Sequence, residues 1–348
     1  MTVGGGTGSP VINRALLLGG VEHINAISAM YDNGGYTGRR RTRNPELDYQ
    51  GQEVAYADAV RIMVSLIDPK QATNEKTAAI NEILTGRTDD TGEVPGYIIA
   101  HRFFDKEKGF YRLQHLLEVL DIKLMGQVLP SSTNSAHIKF TTESGGVYVG
   151  ENLLDEQAEK GSTDIVIDMV LEPHVPAFAP AREAMSKASV IFLSCGSIHG
   201  SMACNFLPEG MKNAIFENKK AQVYLITNLT STSNENNEFS PRDYINLVEK
   251  YVGERRINGI VIPEISRRKF EEDHPEVALL YNQKEKSHFM GWEQEKLYEV
   301  QAEGVRVITH KAINIIDVPE QGKKIVRHSP EELAPVLASL LQEPQKVI

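Results

Sequence analysis

Short β-branched runs alternate with helical patterns along the second half of this chain, and that alternation restricts the fold more than any other feature. "SVIFLS" (189–194), "QVYLITN" (222–228), "INGIVIP" (257–263) and "GVRVITH" (304–310) read as strands. Between them lie segments with helical period, predicted at Arg182–Ala188, Met202–Asn213 and from Ser240 onward. Strands separated by helices pair in parallel through crossovers. The expected fold is therefore α/β, a doubly wound, mostly parallel sheet with helices on both faces.

The first half fits the same frame. Val11–Leu18 suits a helix closed by Gly19-Gly20, and Ile24–Tyr31 reads as a strand ending at a turn-rich Asp32-Asn33-Gly34-Gly35. Residues 53–67 are helical by period, and 70–125 form a helix-rich segment in which Leu113, Leu116, Leu117 and Leu120 recur at helical spacing. A β-hairpin is expected at His137–Thr142 and Val147–Val149, with a further strand in "DIVIDMVLEP". Ser240-Pro241-Arg242-Asp243 and Ser329-Pro330-Glu331-Glu332 are helix starts with caps. We read 1–348 as one domain, with residues 266–295, charged and aromatic, as a surface insertion or lid.

Composition narrows the function classes. The net charge of −10 argues against a duplex nucleic-acid partner, which favours a basic surplus. No apolar run reaches the roughly 18–20 residues of a membrane span, and no charged-then-apolar leader opens the chain. Cys195 and Cys204, the two cysteines, have no CxxC spacing and read as buried thiols. These features suit a cytoplasmic protein.

In a doubly wound sheet, ligands bind at the carboxyl ends of the strands. Four small, polar or glycine-rich stretches fall there: Gly4–Ser9, Asp32–Arg39, Cys195–Ser201 and Asn228–Asn234. The cluster Gly4–Gly8 is no Walker loop, since no Gly-Lys-Ser/Thr follows. It is either a turn that brings backbone N–H groups to a pyrophosphate or a flexible leader. Asp32 follows the second strand, where an acid addresses a ribose hydroxyl or a Mg²⁺ ion; an ordinary Asn-Gly turn is the other reading. Arg39, next to that turn, is the best phosphate-gripping cation of "GRRRTR". "SCGSIHG" lacks the GxSxG frame of a serine hydrolase. His199 within it is either a general acid/base or a hydrogen-bonded loop histidine. The ten histidines show no HExxH pairing, so nothing supports a zinc site.

Together these stretches resemble the family that contains 2-phospho-L-lactate transferase and the bacterial gluconeogenesis factor, the CofD/YvcK-like proteins. That family opens on Gly-Gly-Gly-Thr-Gly and continues with Asp-Asp-Gly-Gly-Ser-Ser-Gly-Arg, here Gly4–Gly8 and "DNGGYTGR". Its Gly-Asp-x-Arg helix start is similar to Ala57-Asp58-Ala59-Val60-Arg61. "GQVLPSS", "GGVYVGE", "LEP", "SCGSIHGSMACNFLPEG", "ITNLTSTSNENNEFSPRDYI" and "RHSPEELAPVL" resemble further family segments, in order, over most of the chain. The Val-Leu-Pro, Leu-Glu-Pro and hairpin segments bring it nearer the gluconeogenesis-factor branch.

The resemblance implies a Rossmann-like fold and a cytoplasmic, dimeric protein. Gluconeogenesis-factor members bind UDP-sugars and support cell shape and growth on gluconeogenic carbon. Transferase members use Mg²⁺ to move a phospholactyl group from a nucleotide carrier. Carried to this chain, Gly5, Gly6, Thr7, Gly8 and Ser9 take phosphate. Asn33, Gly34, Gly35, Thr37 and Arg39 line the second loop, and Gly196, Ser197, Ser201 and Asn228 form the facing wall. Asp32 and Asp58 are the catalytic or metal-holding pair of the transferase alternative. Three departures stand out: Asn33 replaces the second aspartate, Cys195 a proline, and only Thr2 and Val3 precede the glycines, so the first strand is trimmed or the chain starts upstream. A third reading makes the protein a non-catalytic binder acting through Phe289 and Trp292 of 266–295.

Overall fold

The structure, a computed structural model, describes residues 1–34, 37, 54–88, 92–318 and 323–342. Gly35 and Arg39 of the second loop lie outside the described residues.

In chain order the elements begin with β1 (Thr2–Val3), α1 (Gly8–Leu18), β2 (Ile24–Ser28) and α2 (Ala57–Ser65). Three helices follow, α3 (Glu75–Thr85), α4 (Pro95–Phe103) and α5 (Tyr111–Val119), and then β3 (Gly126–Pro130). An antiparallel sheet comes next, formed by β4 (His137–Thr142), β5 (Val147–Val149) and β6 (Val166–Glu172) in the order β5-β4-β6, with α6 (Asn152–Glu159) between the last two. The second half runs α7 (Ala179–Lys187), β7 (Val190–Leu193), α8 (Met211–Glu217), β8 (Gln222–Ile226), α9 (Pro241–Val252) and β9 (Gly259–Pro263). It ends with α10 (Arg267–Asp273), α11 (Pro275–Leu280), α12 (Gln294–Ala302), β10 (Arg306–His310), the hairpin β11 (Ile313–Val318) and β12 (Lys323–His328), and α13 (Pro330–Gln342).

Seven strands form one parallel sheet in the order β10-β9-β8-β7-β1-β2-β3. The fold is thus the expected α/β architecture. Each central strand divides its apolar residues between two cores. Ile191, Leu193, Val223, Leu225, Ile260 and Ile262 enter one, while Phe192, Tyr224, Ile226 and Val261 enter the other. Burial on both faces explains why these strands read as continuous apolar runs. The two-residue β1 is central. Thr2 lies between Ala26 and Phe192, and Gly4 N and Ser194 N extend the ladder to Ile27 O and Val3 O. Strand order reverses between β1 and β7, which opens a crevice at their carboxyl ends.

Three expectations need correction. The helix expected over Met202–Asn213 is broken. A π-type turn (Ile198–Met202) and a 3₁₀ turn (Ala203–Phe206) precede α8, because Pro208 cannot continue a helix and Gly210 takes φ +95°. The hairpin β11–β12 and the edge strand β3 were not anticipated as strands. Within 266–295, Phe289 stacks on Phe270 at 3.9 Å and is buried with Leu229, Val277, Tyr281 and Val326. Trp292 is half-buried and donates Nε1–H to Phe239 O at 2.8 Å. Both aromatics pack on their own chain, which removes them as an exposed contact surface.

Candidate functional site

The crevice between β1 and β7 opens into a cavity of about 370 Å³. Its wall is built by the turn Gly6–Gly8 after β1, by Cys195–Ser197 after β7, and by Asn228–Thr230 after β8. Strand direction alone delivers these three loops to one place.

The first loop enters α1 without a side-chain cap, since Thr7 makes no capping bond. Gly8, the first residue of α1, lines the cavity, so the positive end of the helix dipole lies at its wall. Two glycines are obligatory here. Gly6 has φ +59°, and a Cβ on Gly8 would lie 1.9 Å from Cys195 O. The facing loop is held by Asn228, whose Oδ1 accepts Gly196 N–H and whose Nδ2 donates to Gly196 O, both at 2.7 Å. Burial pushes the Cys195 thiol up to about 12, so it stays neutral and inert.

A carboxylate fixes the next turn. Glu235 Oε1 accepts from Ser197 Oγ (2.7 Å) and His199 N (2.9 Å), and pairs with His199 Nδ1 at 3.1 Å. Burial works to raise the Glu235 carboxyl, but the His199 and Ser197 bonds outweigh it and hold it below its ordinary range. His199 is fully buried, edge-on to Tyr251, and acts as a structural clamp rather than an accessible base. Asn234 Nδ2 reaches Leu154 O at 2.9 Å, which ties this loop to α6 and brings Asp155 onto the cavity wall. The Asp155 side chain is accessible from the cavity yet walled by protein. That desolvation, with the charges of Glu235 and Asp32, pushes its carboxyl up to about 6.

Asp58 sits beside the glycine loop, and neither Asp58 nor Asp32 lines the cavity. Asp58 Oδ2 accepts Gly6 N–H at 2.8 Å, and its Oδ1 accepts from Arg61 Nη1 at 3.2 Å. Burial and the Asp32 charge push the Asp58 carboxyl up, against the pull of the Gly6 N–H and Arg61. Asp32 Oδ1 accepts Gly34 N–H at 2.7 Å. Glu151 is buried, hydrogen-bonds Asp32, and is pushed well up by desolvation and then by the charges of Asp32, Asp155 and Asp58. Asn33 turns to α6, where its Oδ1 accepts Asn152 N–H at 2.7 Å. Among the described residues no three histidine, cysteine or acidic side chains are grouped to hold a metal ion, and no helix is long and apolar enough to cross a membrane.

The remaining sequence candidates flank this arrangement. Gly5 lies under Asp58, Ser201 against Gly6, and Ser9 beneath Gly4, while Thr37 is buried. Sequence reading missed Glu151, Asp155, Glu235, Arg327 and His328. The last two come from β12, whose strand character was not recognised. Arg327 lines the cavity and has no ion pair among the described residues. His328 Nε2 bonds Thr227 O at 2.9 Å.

The chain resembles known proteins over nearly its whole length. It is 26% identical to the gluconeogenesis factor of Listeria innocua over 98% of this chain and 95% of the relative. It is 27% identical to a putative gluconeogenesis factor of Aquifex aeolicus over 98% and 96%. A crystal structure of a UPF0052-family protein from Bacillus halodurans superposes with a TM-score of 0.76 at 23% identity, covering 98% of both chains. The model of the family described as 2-phospho-L-lactate transferase CofD matches residues 1–313. By that match this chain belongs to the CofD family.

Proposed function

We propose that the protein binds a nucleoside-diphosphate sugar of the UDP-sugar type, and that it acts in the manner of the gluconeogenesis factors, in regulation of carbon metabolism and cell shape. One observation carries this reading. The turn Gly6–Gly8, where α1 starts without a side-chain cap, and Arg327, with no ion pair among the described residues, line the same switch-point cavity. Backbone N–H groups at a helix start and a guanidinium fork suit the two phosphates of such a ligand. The gluconeogenesis-factor relatives, matched over nearly the full chain, support the regulatory role. Thermal unfolding with UDP-N-acetylglucosamine tests it: a ligand at a hundred times its Kd stabilises by about 2.7 kcal/mol. An unchanged Tm at millimolar ligand contradicts the reading.

A second reading, a Mg²⁺-dependent transferase acting on a nucleoside-diphosphate-linked donor, draws on the acids. The Asp32 charge acts on both Asp58 and Glu151, and among the described residues Arg61 is the one cation bonded to Asp58. Asp32 and Asp58 fit Mg²⁺, which takes one or two carboxylates alongside phosphate oxygens. The ion would neutralise charge on a diphosphate leaving group. A nucleotide-dependent Mg²⁺ shift in Tm, absent in Asp58→Asn, supports it; Mg²⁺ indifference in the wild type removes it. The protein is taken to be a cytoplasmic homodimer, which sedimentation at micromolar concentration tests.

A further inference from the structure

The antiparallel sheet β5-β4-β6 has two outer edges, and they differ. The β6 edge is covered. Asn234 O accepts Val166 N–H, while Lys250 Nζ donates to Ile167 O and pairs with Asp168. The β5 edge is open. Thr142 N–H donates to Gly146 O at 3.0 Å and Gly150 N–H to Ile138 O at 2.8 Å, which sets the alternation of the ladder between them. By that alternation Tyr148 exchanges its bonds with Phe140, and the N–H and C=O groups of Val147 and Val149 point away from β4. Among the described residues nothing bonds those groups. The two valine side chains are 56% and 48% exposed, on the face opposite Phe140 and Tyr148, whose rings stack at 5.1 Å. β5 carries neither charge nor proline, the usual guards of an open edge.

An edge of this kind accepts another extended strand, and the pattern of β5 selects its partner. Val-Tyr-Val is symmetric about Tyr148. When two copies of β5 lie antiparallel across a two-fold axis at Tyr148, Val147 of each chain falls opposite Val149 of the other. Both residues of each such pair have their backbone groups free, so every outward N–H meets an outward C=O. The same register sets β-branched side chains together on one face and Tyr148 against its counterpart on the other. No other antiparallel register pairs both valines. β5 is neutral, so the seam brings no like charges together in a chain of net charge −10. We propose that β5 is the edge through which two copies of this chain pair, joining their sheets into one. This rests on the homodimer reading above and names its interface.

Sedimentation of the full chain over a concentration series tests it, with charges placed in the expected register. Val147→Lys/Val149→Lys sets lysine opposite lysine at both pairs and weakens the dimer about tenfold or more. Val147→Lys/Val149→Glu sets lysine opposite glutamate at both pairs and dimerises within a few-fold of the wild type. Both positions are exposed, so the Tm of each variant stays near the wild-type value. Amide exchange reads the same pairing without substitution: Val147 and Val149 become protected as wild-type concentration rises. If the Lys/Lys variant dimerises like the wild type, the interface lies elsewhere; the proposal is overturned and the homodimer reading stands. If the Lys/Glu variant is as weak as the Lys/Lys variant, the register is wrong and the proposal is overturned. A wild type that stays monomeric at submillimolar concentration leaves the edge to a foreign strand, and removes the homodimer reading and this interface together.

Discussion

Gly8 and Glu151 each carry a prediction that a single substitution can test. At Gly8, a methyl group would meet Cys195 O at 1.9 Å, and the obstacle is backbone on both sides. Gly8→Ala therefore separates α1 from the loop after β7. It should cost about 2–3 kcal/mol in urea unfolding, in the range of overpacked cores. Glu151 behaves in the opposite sense. Its folded carboxyl is raised by desolvation and then by its acidic neighbours, so its contribution is present below the ordinary carboxyl range and is lost as pH rises through the raised value. Glu151→Gln mimics the protonated acid. It should leave stability at pH 5 nearly unchanged and raise it at pH 8, as read from urea midpoints. Equal destabilisation at both values would mean that the negative charge is needed in the fold. Asn33, the departure from the family pattern, accepts Asn152 N–H through Oδ1 and ties its loop to the start of α6, a bond an aspartate would also make.

The hairpin β11–β12 and the segment α10–α11 position the far wall of the cavity. The rings of His310, at the end of β10, and His328, at the end of β12, lie 5.0 Å apart. Burial, with His328 beside His310 and Arg327 beside His328, depresses them to about 3 and about 4. Their stabilising contribution is complete above pH 6.5 and is lost as pH falls towards the folded values, by up to about 1.4 kcal/mol per pH unit for each ring. The double variant His310→Gln/His328→Gln should lose less stability than the wild type between pH 7 and pH 5; parallel losses would contradict the assignment. Segment α10–α11 carries Phe270 and Val277, whose cluster with Phe289 packs against Leu229 and Val326, next to the cavity residues Thr230 and Arg327. Phe289→Ala should cost about 3–5 kcal/mol and weaken nucleotide binding as well.

These two elements also mark where sequence reading ran out. "INIIDV" holds only half-exposed and exposed residues, and its pair with "KKIVRH" has no sheet neighbour besides itself among the described residues, so the pattern is weak, and with it went Arg327 and His328. By contrast "SVIFLS" and "QVYLITN" lie between two cores and cannot be mistaken. Gly4–Gly8 was legible because a positive φ and a close backbone approach leave glycine no substitute. Asp155 and Glu235 were illegible because three-dimensional contact, not spacing, brings an acid of α6 and an acid of the loop after β8 to one cavity; Glu151, just before α6, meets Asp32 in the same way.

At the scale of the whole molecule, the parallel sheet and the reversal of strand order between β1 and β7 place loops from three strands around one cavity. The family match over residues 1–313 and the 0.76 TM-score to a UPF0052 structure belong to this scale, since both describe the entire arrangement. The central claim is that this cavity takes a nucleoside-diphosphate sugar through the α1 turn and Arg327. Isothermal titration of the wild type and Arg327→Ala with UDP-N-acetylglucosamine tests it most directly. The account predicts one saturable site per chain in the wild type, weakened roughly tenfold or more in Arg327→Ala, whose unfolding temperature stays unchanged. Equal affinity in the two proteins, or no heat from the wild type at millimolar ligand, would contradict it.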